Sequence, residues 1–159
     1  MMAKIRLVRI DSRLGHGKTI RDILNKYDLN RLIFANDKIC EDKIRREVLG
    51  LTVPEEIEVN FLKISEVKEF LSQNQSEYFL IVENTSDLEK IIDDGNKIEE
   101  VNIGIIHMAM GKKILTDMVT VDSEDFRIFR KLSHMGIETY IRKEIADPRV
   151  PIEKFYKIK

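Results

Sequence analysis

The chain has 159 residues, of which 43% are hydrophobic and 35% charged, and a formal net charge of -1 at pH 7. That length suffices for one domain with a real core, and the near-zero charge excludes the overall basic field of a nucleic-acid binder. No apolar run approaches the roughly 18 residues of a membrane span, no secretory leader is expected, and a lone cysteine, Cys40, excludes an intramolecular disulfide and fits a reducing compartment.

Ile5-Arg6-Leu7-Val8 alternates as a short strand, and Ile20, Ile23, Leu24 and Tyr27 then mark one face of a helix. Arg31 to Asn36 reads as a second strand, followed by a helix whose buried stripe is Cys40, Ile44, Val48 and Leu51. Pro54 leads into a strand around 57–62. Ser65 is placed to cap a helix that buries Val67, Phe70 and Leu71. Tyr78 to Val82 is a continuous apolar run, as in a central strand covered on both faces. Ser86-Asp87-Leu88-Glu89 fits a capping box for a helix with Leu88, Ile91 and Ile92 inward, stopped by Gly95. Residues 101–106 form another buried strand and 118–121 a short one. Asp122 caps a helix with Phe126, Phe129 and Leu132 inward, ended by Gly136. Residues 137–142 read as a last strand and 151–157 as a short terminal helix. Strands alternate with helices throughout, which predicts an α/β domain with a mostly parallel sheet and helices on both faces.

The first strand and helix are joined by Arg9-Ile10-Asp11-Ser12-Arg13-Leu14-Gly15-His16-Gly17-Lys18. Such a turn lies at the carboxyl ends of the strands, where ligands bind in α/β sheets. His16 offers a nucleophile, a base or a metal ligand. Gly15 and Gly17 let a partner approach the main chain, and the helix that follows directs its free N–H groups at an anion. Arg9, Arg13 and Lys18 supply positive charge, and Asp11 is placed to accept an imidazole N–H. These parts suit a histidine that carries a phosphoryl group; a plain strand–turn–helix with a loop histidine is the alternative on residue types alone.

Arg9-Ile10-Asp11-Ser12-Arg13-Leu14-Gly15-His16-Gly17 resembles the phosphorylation-site signature of enzyme IIB of the mannose/fructose/sorbose class of the bacterial phosphotransferase system, which typically reads Arg-Ile-Asp-Asp-Arg-Leu-Ile-His-Gly-Gln. Further blocks agree in order and spacing: Asn36-Asp37, Asn102-Ile103-Gly104, Gly111-Lys112-Lys113, Val119 to Asp122, and Asp147-Pro148-Arg149. The resemblance spans essentially the whole chain. Departures are Ser12 for the second Asp, Gly15 for a bulky aliphatic, Lys18 for Gln, and Ile105-Ile106-His107-Met108 for a segment nearer Asn-Met-Ser-Phe.

The resemblance implies one IIB phosphocarrier domain over residues 1–159 with a seven-stranded sheet. It implies that His16 accepts a phosphoryl group at its δ1 nitrogen from a phosphohistidine on enzyme IIA. His16 then donates it to a sugar taken up through the IIC/IID membrane components, which is the reaction of a protein-phosphohistidine–sugar phosphotransferase. Arg13 and the loop amides, with Arg9, Gly15, Gly17 and Lys18, would meet phosphoryl oxygens, and Asp11 would orient the ring. Neither metal nor nucleotide is required, no nucleic acid is involved, and the protein would be cytoplasmic, beside its membrane transporter. The sugar and any homo-oligomer stay open. A rival reading is a regulatory paralogue that binds partners or phosphate without serving sugar. It is motivated by Gly15, whose missing side chain would shrink a partner-docking surface unless glycine is needed for its backbone angle.

Other features carry less. Cys40 and Arg46 match a Cys-x5-Arg phosphatase pattern, yet the stretch has helical spacing and no glycine. A receiver domain fails because the third strand runs into Lys63-Ile64-Ser65 with no acceptor Asp. His107 follows a strand and so shares the edge of His16; His134 suits a helix carboxyl end. His16, His107 and His134 lack local metal-ligand spacing. Gly111-Lys112-Lys113 reads as a basic lip around the site or as a solvated turn.

Overall fold

The structure, a computed structural model, describes residues 3–157. In chain order its elements are β1 (Lys4–Asp11), α1 (Gly17–Lys26), β2 (Arg31–Ala35), α2 (Asp37–Cys40), α3 (Lys43–Leu51), β3 (Glu58–Leu62), α4 (Val67–Ser72), β4 (Glu77–Val82), α5 (Thr85–Asp93), β5 (Glu100–Ile105), β6 (Lys113–Ile114), β7 (Thr120–Val121), α6 (Ser123–His134), β8 (Glu138–Ile141) and β9 (Val150–Pro151). Seven strands form one sheet in the order β3-β2-β4-β1-β5-β8-β9. All neighbours are parallel except β8 and β9, which are antiparallel. The α/β expectation and the seven strands are borne out.

Two apolar layers cover the sheet. On one face Ile20, Ile23 and Leu24 of α1, Ile39 of α2 and Leu49 of α3 pack on Leu7, Leu32, Phe34, Phe79 and Ile81. On the other, Val67 and Leu71 of α4, Leu88 and Ile91 of α5, and Phe129 and Leu132 of α6 pack on Ile5, Val8, Ile10, Leu80 and Ile103. Successive strand residues point to opposite faces, so β4 is apolar and buried from Tyr78 to Val82 because it feeds both layers. In β1 the same alternation sets Val8 and Ile10 toward α5 and α6, and Arg9 and Asp11 toward α1.

Several local expectations are corrected. The helix after β2 is two helices: Asn36 caps α2 by accepting from the Ile39 N–H at 2.9 Å, and Asp42 caps α3 by accepting from the Arg45 N–H at 3.0 Å. The break at Glu41 and Asp42 rotates the second helix out of phase with the first. The expected stripe therefore faces solvent, with Ile44 75%, Val48 56% and Leu51 87% exposed, while Leu49 is 7% exposed. The helix near Ser65 is entered through a 3-10 turn over Ile64–Glu66, in which Glu66 folds back to accept from the Lys63 N–H at 2.7 Å. Among the described residues Ser65 makes no cap hydrogen bond. Helix α5 is capped by Asn84, which accepts from the Asp87 N–H at 2.8 Å, and so begins before Ser86. Asp122 does cap α6, in a reciprocal pair with Asp125. The terminal segment opens with the short strand β9 and closes in a 3-10 turn over Ile152–Phe155, and β6 pairs with β7 in a hairpin that the sequence did not suggest.

The phase of α3 sets opposite outcomes for neighbouring leucines. Leu49→Ala is expected to cost about 2–4 kcal/mol in urea unfolding, as for other buried leucines. Leu51→Ala is expected to stay within about 0.5 kcal/mol. Equal losses at the two positions would contradict the rotated helix.

Candidate functional site

Strand β1 lies at the centre of the sheet between β4 and β5, and its carboxyl end delivers the chain to His16. The turn is fixed by main-chain bonds: the Ser12 N–H donates to the Ile105 carbonyl and the Leu14 N–H to the Asp11 carbonyl, both at 2.9 Å. Leu14 is fully buried at φ 62°, and Gly15 follows at φ 135°. The left-handed residue costs about 1 kcal/mol or more, offset by the burial of its side chain against α1. His16 is the extended N-cap of α1, exposed, and its side chain makes no cap hydrogen bond. Its carbonyl accepts from the Ile20 N–H at 3.0 Å. Hence the imidazole stands at the amino end of a ten-residue helix, where the first N–H groups lack helical partners and the dipole is positive.

The charged residues of the motif divide into two sets. Asp11 is fully buried, and its carboxylate accepts from the Arg13 backbone N–H at 2.9 Å, Arg13 Nε at 3.3 Å, Arg13 Nη2 at 3.4 Å and Arg9 Nε at 3.4 Å. Among the described residues it makes no hydrogen bond to His16. The expectation that Asp11 orients the ring is corrected: the two arginines take its lone pairs, and it shapes the loop instead. Arg13 is partly exposed, 35% of its side chain.

Arg9 is not at the surface at all. It is 1% exposed, with Nη1 donating to Asn102 Oδ1 at 2.7 Å and to the Arg142 carbonyl at 3.2 Å. Burial pulls its guanidinium below the ordinary value, with Asp11 opposing. Direct phosphate contact by Arg9 is therefore corrected, because strand alternation directs it into the layer under α1. Gly104 makes the room: a Cβ there would lie 2.3 Å from the Arg9 Cζ.

Lys18 also departs from expectation. It is exposed and donates to Asp22 one turn along α1 at 2.9 Å, which raises its pKa and draws its charge away from the helix end. Gly17 is packed against the end of α3, where a Cβ would sit 3.0 Å from the Thr52 carbonyl oxygen. At Gly15 a Cβ would point inward, 2.7 Å from Ile20 Cδ1. The backbone reading of Gly15 is thus favoured, and the docking reading loses its geometric basis.

Neighbouring loops complete the site. The His107 N–H donates to Ser12 Oγ at 3.0 Å, tying the loop after β5 to the loop after β1, as its shared edge suggested. His134 is exposed at the carboxyl end of α6. Lys112 is drawn to Asp125 and to Asp122, at 3.6 Å from the latter, so the basic lip is reduced to Lys113. Two residues had no sequence signal. Thr19, in the first turn of α1, donates its hydroxyl to Glu144 of the loop after β8 at 3.1 and 3.0 Å. Only tertiary folding brings 19 and 144 together. A cleft of about 800 Å³ opens beside His16, between Gly17, Lys18 and Arg21 on one wall and Val48, Thr52 and Pro54 on the other.

The phosphatase pattern is excluded by geometry. Arg46 donates to the carbonyls of Ile39 and Cys40, at 3.0 and 2.6 Å, and burial pushes the Cys40 thiol up. Among the described residues, no cluster of three or more His, Cys, Asp or Glu could hold a metal, and no helix is long and apolar enough to cross a membrane.

Comparison with known proteins agrees with this architecture. The mannose-specific EIIAB component of the phosphotransferase system of Escherichia coli K12 is 30% identical over 151 residues, covering 92% of this chain and 46% of that protein. The chain thus spans about half of that relative. The sorbose-specific EIIB component of Klebsiella pneumoniae is 30% identical over 94% of this chain and 93% of its own length. The crystal structure of the IIBSor domain of the Klebsiella pneumoniae sorbose permease superposes with a TM-score of 0.87 at 28% identity, covering 100% of this chain and 99% of that one. Residues 5–159 match the family described as the sorbose-subfamily IIB component of the phosphotransferase system, and the chain belongs to that family.

Proposed function

We propose that this protein is a phosphohistidine carrier of a sugar phosphotransferase system, with His16 as its phosphoryl acceptor and donor. The observation that carries the reading is an exposed imidazole, free of hydrogen bonds among the described residues, at the amino end of α1 on a loop fixed by Asp11. In the first step a ring nitrogen of neutral His16 attacks the phosphorus of a phosphohistidine on enzyme IIA. A P–N bond forms at His16 as the donor P–N bond breaks; the donor imidazole keeps the bonding pair, and the N–H proton shed by the His16 ring passes through solvent to the donor ring. In the second step a sugar hydroxyl oxygen attacks, the His16 P–N bond breaks, and the hydroxyl proton passes to the released imidazole or to solvent.

The phosphoryl oxygens would meet the free amides of the first turn and the exposed part of the Arg13 guanidinium. Catalysis is then mainly positioning and charge stabilisation, as phosphoryl transfer requires. Arg9 acts from behind, by holding Asp11. Exposed Val48 and Leu51 of α3 line the cleft beside His16 and, with Ile44 exposed on the same helix, offer apolar surface to a protein partner. Partners are enzyme IIA and the IIC/IID membrane components, which place the protein on the cytoplasmic side of the membrane. The regulatory alternative has no support of its own once Gly15 is explained by its backbone and its inward Cβ.

Reconstitution with enzyme I, the histidine-containing phosphocarrier protein and a mannose-class IIA tests the assignment. His16→Ala should lose all labelling, whereas His107→Ala and His134→Ala should keep it, and the adduct should be acid-labile. Normal labelling of His16→Ala would refute the assignment. Arg13→Lys keeps the charge but loses the fork that spans Asp11 and the phosphoryl oxygens. A well-folded Arg13→Lys protein should transfer about tenfold or more slowly, measured by rapid-quench kinetics; an unchanged rate would remove Arg13 from the site.

A further inference from the structure

The loop after β8 is a built feature of the site. Its Arg142 carbonyl accepts from buried Arg9 at 3.2 Å and from Asn102 Nδ2 at 2.9 Å. The Glu144 N–H donates to Asp147 at 3.0 Å, and Arg142 Nε donates to the Asp147 carbonyl at 3.0 Å. This framework sets the Glu144 carboxylate on the hydroxyl of Thr19, which is 1% exposed and lies in the first turn of α1, three residues after His16. Among the described residues no salt bridge includes Glu144. Its charge bears on both Arg9 and Lys18, which bracket the His16 loop. The result is a carboxylate fixed on the first turn of α1, with no salt-bridge partner among the described residues.

We propose that Glu144, tethered to Thr19, is a positioning residue that raises the transfer potential of the phosphoryl group carried by His16. The proposal rests on the reading of His16 as the phosphoryl carrier. A phosphoryl group adds close to two negative charges beside the imidazole. A carboxylate one helical turn away repels it, so the phosphorylated state lies higher relative to the free state than the helix end and Arg13 alone would set it. Glu144 neither gives nor takes a proton, and no bond to it forms or breaks. The phosphoryl group moves from a donor imidazole nitrogen to His16 with the donor keeping the bonding pair, and Glu144 enters only through the field. For a carrier this opposes over-stabilisation: an anion held only by favourable contacts would be a poor donor in the next step.

The test is the equilibrium between phosphorylated enzyme IIA and this protein, read as the phosphorylated fraction of each on phosphate-affinity gels. Glu144→Gln keeps an acceptor for Thr19 but removes the charge. It should shift the equilibrium about three- to tenfold toward phosphorylated His16, and the shift should shrink as salt is raised to about 1 M. Glu144→Asp keeps the charge, shortens the reach to Thr19, and should stay within about twofold of the unaltered protein. Thr19→Val frees the carboxylate from the helix end and should move the equilibrium as Glu144→Gln does, by a smaller factor; it carries the test if Glu144→Gln does not fold. An unchanged equilibrium in Glu144→Gln, a shift the other way, or an equal shift in Glu144→Asp would overturn the proposal. Failure of the unaltered protein to label at His16 would instead overturn the carrier reading itself.

Discussion

The site depends on a charge buried in the sheet. Arg9 stands near the carboxyl end of a central strand, in the layer under α1, and its guanidinium is held through Nε and Nη1 by Asp11, Asn102 and the Arg142 carbonyl, while Nη2 is buried with no hydrogen-bond partner among the described residues. A cation in such a place is tolerated only when it is paired and hydrogen-bonded; removing one partner of a buried pair costs about 3–5 kcal/mol. Each partner belongs to a different part of the site. Asp11 sets the path of the His16 loop through Arg13, Asn102 lies on the neighbouring strand, and Arg142 begins the loop that carries Glu144. One side chain therefore fastens both flanks of the histidine. The arrangement also requires Gly104, since any side chain there would enter the volume of the guanidinium.

This interior polar layer explains what the sequence disclosed and what it did not. Apolar runs such as Tyr78 to Val82 announced strands because burial on both faces leaves no room for polar residues. The His16 turn was legible because glycines, a histidine and the start of a helical period met in one place. Arg9 was misread for a general reason. Arginine suggests an anion at the surface, but between Val8 and Ile10 it must face the opposite apolar layer, and two of its three partners, Asn102 and Arg142, lie 93 and 133 residues away in sequence. Residue types alone do not reveal a partner across the sheet. The stripe on α3 failed for a smaller reason: one interruption between Cys40 and Lys43 changed the phase of everything after it. Glu144 carried no signal, because its role comes from the return of a loop after β8.

The family and the site answer different questions. The match over residues 5–159 and the superposition with the sorbose permease domain establish the fold and the lineage. The details around the site come from the structure of this chain: Lys18 paired with Asp22, a glycine before the histidine whose Cβ would point inward, and exposed apolar residues on α3 beside the cleft. They fall around one imidazole: the first draws charge away from the helix end, the second fixes the turn before the histidine, and the third leaves apolar surface exposed beside the cleft.

The short antiparallel strand β9 has a consequence for how the molecule meets others. It closes the sheet beside β8 with two residues, and the second, Pro151, has no N–H to offer. A sheet edge with a full row of donors and acceptors invites another chain to add a strand, which leads to uncontrolled association. An edge this short, ending in proline, gives an incoming strand almost nothing to register against. Contact along this side must then go through side chains and helical faces, which leaves the loops at the carboxyl ends of the strands as the more selective place to be recognised.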